Sequence, residues 1–327
     1  MSSTRIGILT ATPDLVAQQL ALPLIARLRA AGLTVAAVLP HVFTTAESFM
    51  LYRGQSTHPR SDASRLYSQW LSPRMFTGGG SLVLLLGWNA DDRPVQQVIR
   101  ELKGKSDWKH ARPEQLRSIS PLCDRSMSLI HSPDDEEGMH HELALLFGPS
   151  LVAALTDLAA ASPEAPDAVL EAAFAPLAAG DGPLAILPRL VQRIGGLLAV
   201  DPQSGVGAAD VGALLSAAEG LRAGLGGSPP DVARALLWDG MSAMADAAAA
   251  MSARVHASPM PDDDVRGYRR ACIRRLLARV AEQCCRNPLA DPLLGELLAR
   301  TLEDLGVPMA YWEQQQLYVT LAYHGRP

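Results

Sequence analysis

Hydrophobic positions in this chain change their period near residue 148. Before it, short apolar runs alternate with helical patterns; after it, only helical spacing persists. Ile6-Gly7-Ile8-Leu9-Thr10 reads as a buried strand. Thr12-Pro13-Asp14 follows. A helix is expected from about Leu15 to Ala31, ended by Gly32, with Pro23 as a point where it should kink or split. Leu33 to Leu39 gives a second strand. Thr44-x-x-Glu47 has the spacing of a capping box and opens a helix through Tyr52. Residues 54–64 are polar and turn-rich, and a short helix through Tyr67, Trp70 and Leu71 precedes the glycine triplet Gly78 to Gly80. Ser81 to Leu86 is a strongly apolar central strand. A helix through Val95, Val98, Ile99 and Leu102 ends at Gly104. Residues 105–125 read mostly as loop, and Met127 to Ile130 supply a fourth strand. The acidic cluster Asp134 to Glu137 then opens a helix with Met139, Leu143 and Leu146 on its apolar face.

This order, β-α-β-α-α-β-α-β-α, predicts an α+β domain of the split-βαβ, ferredoxin-like kind over residues 1–150. From there alanine and leucine dominate, and Ser162-Pro163-Glu164-Ala165-Pro166 looks like a linker. Helices are expected near 167–178, 183–199, 208–224, 230–256, 262–286, 290–305 and 309–322, with breaks at 226–230 and 259–261. Residues 151–327 are therefore an all-helical domain of unassigned role, without a sequence repeat.

Composition narrows the classes. A hydrophobic content of 48% marks globular material, and a net charge of −5 argues against nucleic acid as the main partner. No apolar run approaches the ~20 residues needed to cross a bilayer. Met1 to Arg5 lead into a strand with no signal-peptide core, so a cytoplasmic location is expected. The four cysteines, Cys123, Cys272, Cys284 and Cys285, form no CxxC pair and read as buried or half-buried thiols. Six arginines between Arg266 and Arg279 read as a solvated helix face paired with Asp262 to Asp264, with a docking surface for an acidic partner as the alternative.

One constellation carries chemistry. His131 ends the fourth apolar run, and Glu142 follows eleven residues later, at the edge of the next helix's buried face. A carboxylate there can accept a proton from one ring nitrogen and leave the other free as a nucleophile. His140 and His141 are adjacent rather than at i,i+4, so they read as exposed rather than metal-binding. Lys103, Lys105 and Lys109 read as solvated loop residues. The glycine triplet has no helix directly behind it and is not a phosphate loop.

Taken together, these residues resemble nucleoside diphosphate kinase over roughly residues 4–148. The family's strand-end signature, Asn-Ile-Ile-His-Gly-Ser-Asp, stands here as Ser128-Leu129-Ile130-His131-Ser132-Pro133-Asp134. The resemblance implies that His131 is the phosphorylated histidine, that Glu142 orients its ring, and that Tyr52 stands beside it. It implies that Arg100, Ser106 and Arg117 bind nucleotide phosphates and that Tyr67 and Leu71 clamp the base. Thr12 stands where the family has its catalytic lysine, for which one of Lys103, Lys105 and Lys109 substituting is the minor alternative, and Ser128 where it has its signature asparagine. The resemblance further implies Mg²⁺ carried by the nucleotide, a nucleoside tri- or diphosphate ligand and a homo-oligomer; the acceptor is unassigned. The expected function is a divergent, specialised phosphotransferase acting through a phosphohistidine. The alternative is a non-catalytic nucleotide-binding or scaffolding protein that keeps the kinase fold.

Overall fold

The computed structural model describes residues 6–51, 75–88, 92–105, 110–120, 129–148, 152–153, 164–175, 183–225, 230–261, 264–286, 292–309, 313–314 and 317. The chain divides into two compact units, residues 1–165 with 263–267, and residues 166–262 with 268–327.

In the first unit, β1 (Ile6–Ala11), β2 (Leu33–His41), β3 (Ser81–Trp88) and β4 (Ile130–His131) form one sheet in the order β2-β3-β1-β4. β1 is antiparallel to both β3 and β4, and β2 is antiparallel to β3. This is the ferredoxin-like arrangement. All six residues of β1 are buried, which explains its continuous apolar run. One face sends Ile6 and Ile8 into a cluster with Phe43, Phe76, Val83 and, from α5 (Glu136–Phe147), Met139, Leu143 and Phe147. On the other face Gly7 lies under α4 (Val95–Lys103). A Cβ there would stand 2.5 Å from Ile99 Cδ1 and 2.9 Å from Val95 Cγ1, so only glycine lets helix and strand approach this closely.

The expected helix over 15–31 is two helices, α1 (Pro13–Ala17) and α2 (Ala21–Ala30). The break falls at Gln19, with φ 57°, rather than at Pro23. Pro23 is the third residue of α2, where the backbone N–H has no intrahelical acceptor to lose. Gly32 takes φ 87° just past the end of α2, as its glycine suggests. The fourth strand was expected over Met127 to Ile130; the described strand is Ile130–His131, and Met127 and Ser128 lie outside the described residues.

Among the described residues, so short a strand leaves most of that edge of β1 without a strand partner, and a side chain bonds there. Gln96 of α4, fully buried, accepts from the Ile8 N–H at 3.0 Å and donates to Ile8 O at 3.4 Å and Pro133 O at 2.8 Å. It does for Ile8 what a longer β4 would have done. Each such group left bare in the interior would cost about 1–3 kcal/mol.

The helical unit contains α6 (Asp167–Phe174), α7 (Ile186–Ala199), α8 (Ala208–Leu225), α9 (Pro230–Ala257), α10 (Val265–Arg286, whose first three residues belong to the first unit) and α11 (Pro292–Asp304). α7 is buried on all sides, its polar residues included. Arg193 on it forms a two-pronged pair with Glu313, at 2.9 Å from Nη1 and 2.8 Å from Nη2, and also donates to Pro308 O and Ala175 O. The expected solvated arginine face of α10 forms in part, with Arg266, Arg269 and Arg279 exposed and Arg275 half-buried. Arg270 and Arg274 are buried, and Arg274 meets Asp201 at 3.2 Å, because burial of this long helix reaches well round its circumference. Among the cysteines, Cys284 and Cys285 are buried, with the Cys284 thiol pushed up to about 12 by desolvation, whereas Cys272 is exposed. Cys123 lies outside the described residues. No described helix is long and apolar enough to cross a membrane.

α3 (Thr45–Leu51) begins at the predicted capping box. The Thr44 N–H donates to Glu47 Oε2 at 2.7 Å, and the Glu47 N–H to Thr44 Oγ1 at 3.2 Å. His41 Nε2 lies 3.4 Å from the same carboxylate. Burial alone would raise the pKa of Glu47, but the His41 ring and the Thr44 donors outweigh it and bring it down to about 2. The unfolded chain therefore takes up this proton at higher pH than the native state, and the stabilisation, full above about 4.5, is lost as pH falls toward 2. Glu47→Gln should lower the urea midpoint at about pH 5–6, where the Glu47 carboxylate is ionised. The gap to wild type should close as the medium is acidified through that window.

Candidate active site

The sequence around β4 is short of regular structure and rich in side chains that bond to main chain. Asp14, at the start of α1, accepts the Leu129 N–H at 3.0 Å through Oδ2 and the Thr12 hydroxyl through Oδ1. The Thr12 N–H in turn donates to Leu129 O at 3.0 Å. These bonds hold Leu129 at φ 62°, a left-handed conformation adverse to a branched side chain, with that side chain fully buried. Such backbone strain costs about 1–3 kcal/mol and persists only where the surroundings enforce it. It turns the chain immediately before Ile130 and His131.

His131 leaves the strand half-buried. Its Nε2 lies 2.8 Å from Glu142 Oε1 on α5, and the Phe76 ring meets it edge to face with centroids 5.6 Å apart. Glu142 is 4% exposed, so the carboxylate acts on the ring with little screening by water. Asp135 caps α5 by accepting the Gly138 N–H at 2.8 Å, which fixes the helix that carries Glu142. With Nε2 as the N–H that Glu142 accepts, the neutral ring carries its lone pair on Nδ1.

Two cations stand behind this pair. Arg117, on a 3₁₀ turn and buried, donates from Nη1 to Gly104 O at 2.8 Å and from Nη2 to Ile130 O at 3.4 Å. Lys103, in the last turn of α4, is 8% exposed and donates from Nζ to Ser132 O at 2.7 Å, with Asp134 Oδ1 at 3.5 Å. It is not the solvated loop residue that the sequence suggested. Desolvation and the Arg117 charge lower its pKa; Asp134 and Glu142 pull the other way.

Three buried polar atoms close to His131 in the chain or across the sheet have no hydrogen-bond partner among the described residues: Thr10 Oγ1, Ser132 Oγ and Glu142 Oε2. Thr10 is the cross-strand partner of His131, so the two side chains share a face of the sheet. Buried polar atoms are normally satisfied, and a group of them beside a histidine is where a water or a polar ligand would be held.

Of the residues singled out in the sequence, His131 and Glu142 are brought together, and Arg117 is joined to the same strand. Arg100 stands exposed in the last turn of α4. Thr12, at the N-cap of α1, is buried with its hydroxyl on Asp14. Tyr52, Tyr67, Leu71, Ser106 and Ser128 lie outside the described residues. His140 and His141 are exposed, as expected. Sequence reasoning missed Thr10, Phe76 and Gln96, which carry no motif. A polar residue in the apolar stripe of α4 was the one available signal for Gln96. No three His, Cys, Asp or Glu residues converge on a metal position among the described residues.

No protein-family model matches the chain, and no curated protein matches it. Among solved structures it is similar to nucleoside diphosphate kinases. That of Aquifex aeolicus is 19% identical, over 44% of this chain and 94% of that one, with a TM-score of 0.37. That of Halobacterium salinarum, in complex with CDP, is 22% identical over 44% and 88%, also at 0.37. That of Encephalitozoon cuniculi is 18% identical over 45% and 90%, again at 0.37. Less than half of the chain takes part in these likenesses.

The strained approach to His131 is testable by itself. Asp14→Ala strands the buried Leu129 N–H and should cost about 1–3 kcal/mol in urea unfolding. An unchanged midpoint would mean that the bond does not hold the turn.

Proposed function

We propose that the first unit is a nucleotide-binding phosphotransferase domain in which His131 is phosphorylated in transit. The observation that carries this is the 2.8 Å contact between His131 Nε2 and a buried Glu142 carboxylate, with two buried cations bonded to the same stretch of main chain. In the first half-reaction the Nδ1 lone pair attacks the γ-phosphorus of a nucleoside triphosphate. The N–P bond forms, the bond from the γ-phosphorus to the β,γ-bridging oxygen breaks, and the nucleoside diphosphate leaves with that electron pair. The ring gains positive charge as it is phosphorylated, and Glu142 stabilises it through the Nε2 proton. An acceptor oxygen then attacks the phosphohistidine and regenerates the neutral ring. In this reading Arg100, Arg117 and Ser106 hold phosphates and Tyr67 with Leu71 hold the base, as the resemblance implies.

One observation favours a second reading, a non-catalytic nucleotide-binding protein. Thr12, where the resembled family carries a lysine, is a buried hydroxyl bonded to Asp14 and offers no charge to a phosphate. Labelled ATP separates the two. Acid-labile, base-stable label on the chain, absent in His131→Ala and formed about 10²-fold more slowly in Glu142→Gln, supports transfer. Nucleotide binding without label supports the second reading. General nucleoside diphosphate kinase turnover should be low and should rise in Thr12→Lys.

Nucleotide affinity tests the site separately from the chemistry. By calorimetry, Arg117→Ala should bind a nucleoside triphosphate about 10- to 100-fold more weakly, the equivalent of a charge-assisted contact worth ~1.5–3 kcal/mol. Equal affinity would take the phosphates away from Arg117.

A further inference from the structure

Among residues 151–327, α10 carries seven of the 14 basic side chains but one of the 20 acidic ones. Within the helical unit, over residues 268–286, its outward side is ordered in rows. Tyr268, Cys272, Leu276 and Val280 follow one another at intervals of four, the spacing that forms a ridge along a helix. Tyr268 is 54% exposed and Leu276 46%, Cys272 is exposed and Val280 half-buried. Arg275 and Arg279 lie in the next row on one side; Arg269 and the half-buried Ile273 lie in the next row on the other. An apolar ridge thus runs between two lines of arginine. Within the helix the positive charge is poorly balanced. Arg269 has no hydrogen-bond or ion-pair partner for its guanidinium among the described residues. Arg275 donates to two carbonyls, His256 O and Ser258 O, each at 3.1 Å. Arg279 and Arg286 share one carboxylate, Glu282, at 3.2 and 3.3 Å. A scattered exposed apolar residue needs no explanation, but a row of them bordered by one sign of charge is the make-up of a contact surface.

We propose that this side of α10 docks an acidic amphipathic helix of another protein, one whose apolar stripe is flanked by aspartate or glutamate. The ridge from Tyr268 to Val280 would enter the groove between side-chain rows of the incoming helix. The flanking guanidinium forks would receive its carboxylates, for which their planar geometry is suited. Charge complementarity selects this occupant. A second copy of the chain would set the same arginines against each other. An anionic lipid surface would match the charge but has no groove for a ridge of fixed spacing. The proposal is independent of the chemistry at His131.

Cys272, exposed within the ridge, reports occupancy directly, and the buried Cys284 and Cys285 serve as internal controls. The test follows alkylation of Cys272 in the full chain by N-ethylmaleimide, read from the mass of the fragment that carries it. The probe is a synthetic helix of about three heptads, with leucine at a and d, glutamate at e and g and alanine elsewhere. A second peptide carries lysine in place of each glutamate. The acidic peptide should slow alkylation about tenfold at saturation, and the basic one should leave it unchanged. Raising salt from about 0.1 M to about 1 M should weaken the protection. Arg269→Glu reverses a charge that has no partner in the chain, and Tyr268→Ala keeps a good helix former, so both should leave the urea midpoint near that of wild type. Each should weaken affinity for the acidic peptide about tenfold, measured by fluorescence anisotropy. Equal protection by both peptides, protection by neither, or unchanged affinity in both variants would overturn the proposal. Protection by phosphatidylserine vesicles and not by the acidic peptide would assign the surface to lipid instead. Protection that rises with protein concentration alone, with sedimentation as a dimer, would assign it to a second copy.

Discussion

The candidate site depends on one constraint: a strand of two residues has to present a histidine at a fixed angle. Two residues of ladder, opposite Thr10 and Ala11, cannot do that by themselves. Side chains take the place of the missing ladder. Asp14 fixes the approach through Leu129, Arg117 and Lys103 hold the carbonyls on either side of His131, and Gln96 closes the edge of β1 that β4 does not reach. Remove these and His131 has no reason to face Glu142.

The same constraint explains the unusual polarity of an otherwise apolar layer. The sheet is buried on both faces, yet α4 directs a glutamine and a lysine toward it, and the 3₁₀ turn an arginine. A low-dielectric setting strengthens each of these bonds and makes the loss of any one costly. The main chain on either side of His131 is therefore held by buried, charged donors, Arg117 and Lys103.

How much of this was readable in the sequence follows from what each feature depends on. β1, β3 and α4 were legible because apolar runs and periodicity are local, and so was the Thr44–Glu47 capping box, closed within four residues. The His131–Glu142 pair was legible because helical spacing fixes where position 142 falls once the helix is granted. Lys103 was not, since nothing in Leu102-Lys103-Gly104 says that the last turn of a helix will be covered by the loop after β4. The split at Gln19 escaped because a left-handed glutamine has no sequence mark, while Pro23 offered a false one. Arg274 of α10 escaped for a similar reason: charge says solvent, and the distant Asp201 that pairs with it is not legible locally.

The pairing of Arg193 with Glu313 has a consequence for synthesis. The partners are 120 residues apart in sequence, and both are almost wholly buried. As the chain emerges from the ribosome, α7 carries a guanidinium that cannot enter a core without its counter-charge until the segment around Glu313 has been made. The four strands of the sheet are complete long before. The two units therefore mature on different schedules, the strands of the sheet before the helical unit can close around Arg193. A nascent chain stalled in between would hold a complete set of strands and a helical unit still lacking the counter-charge for its core.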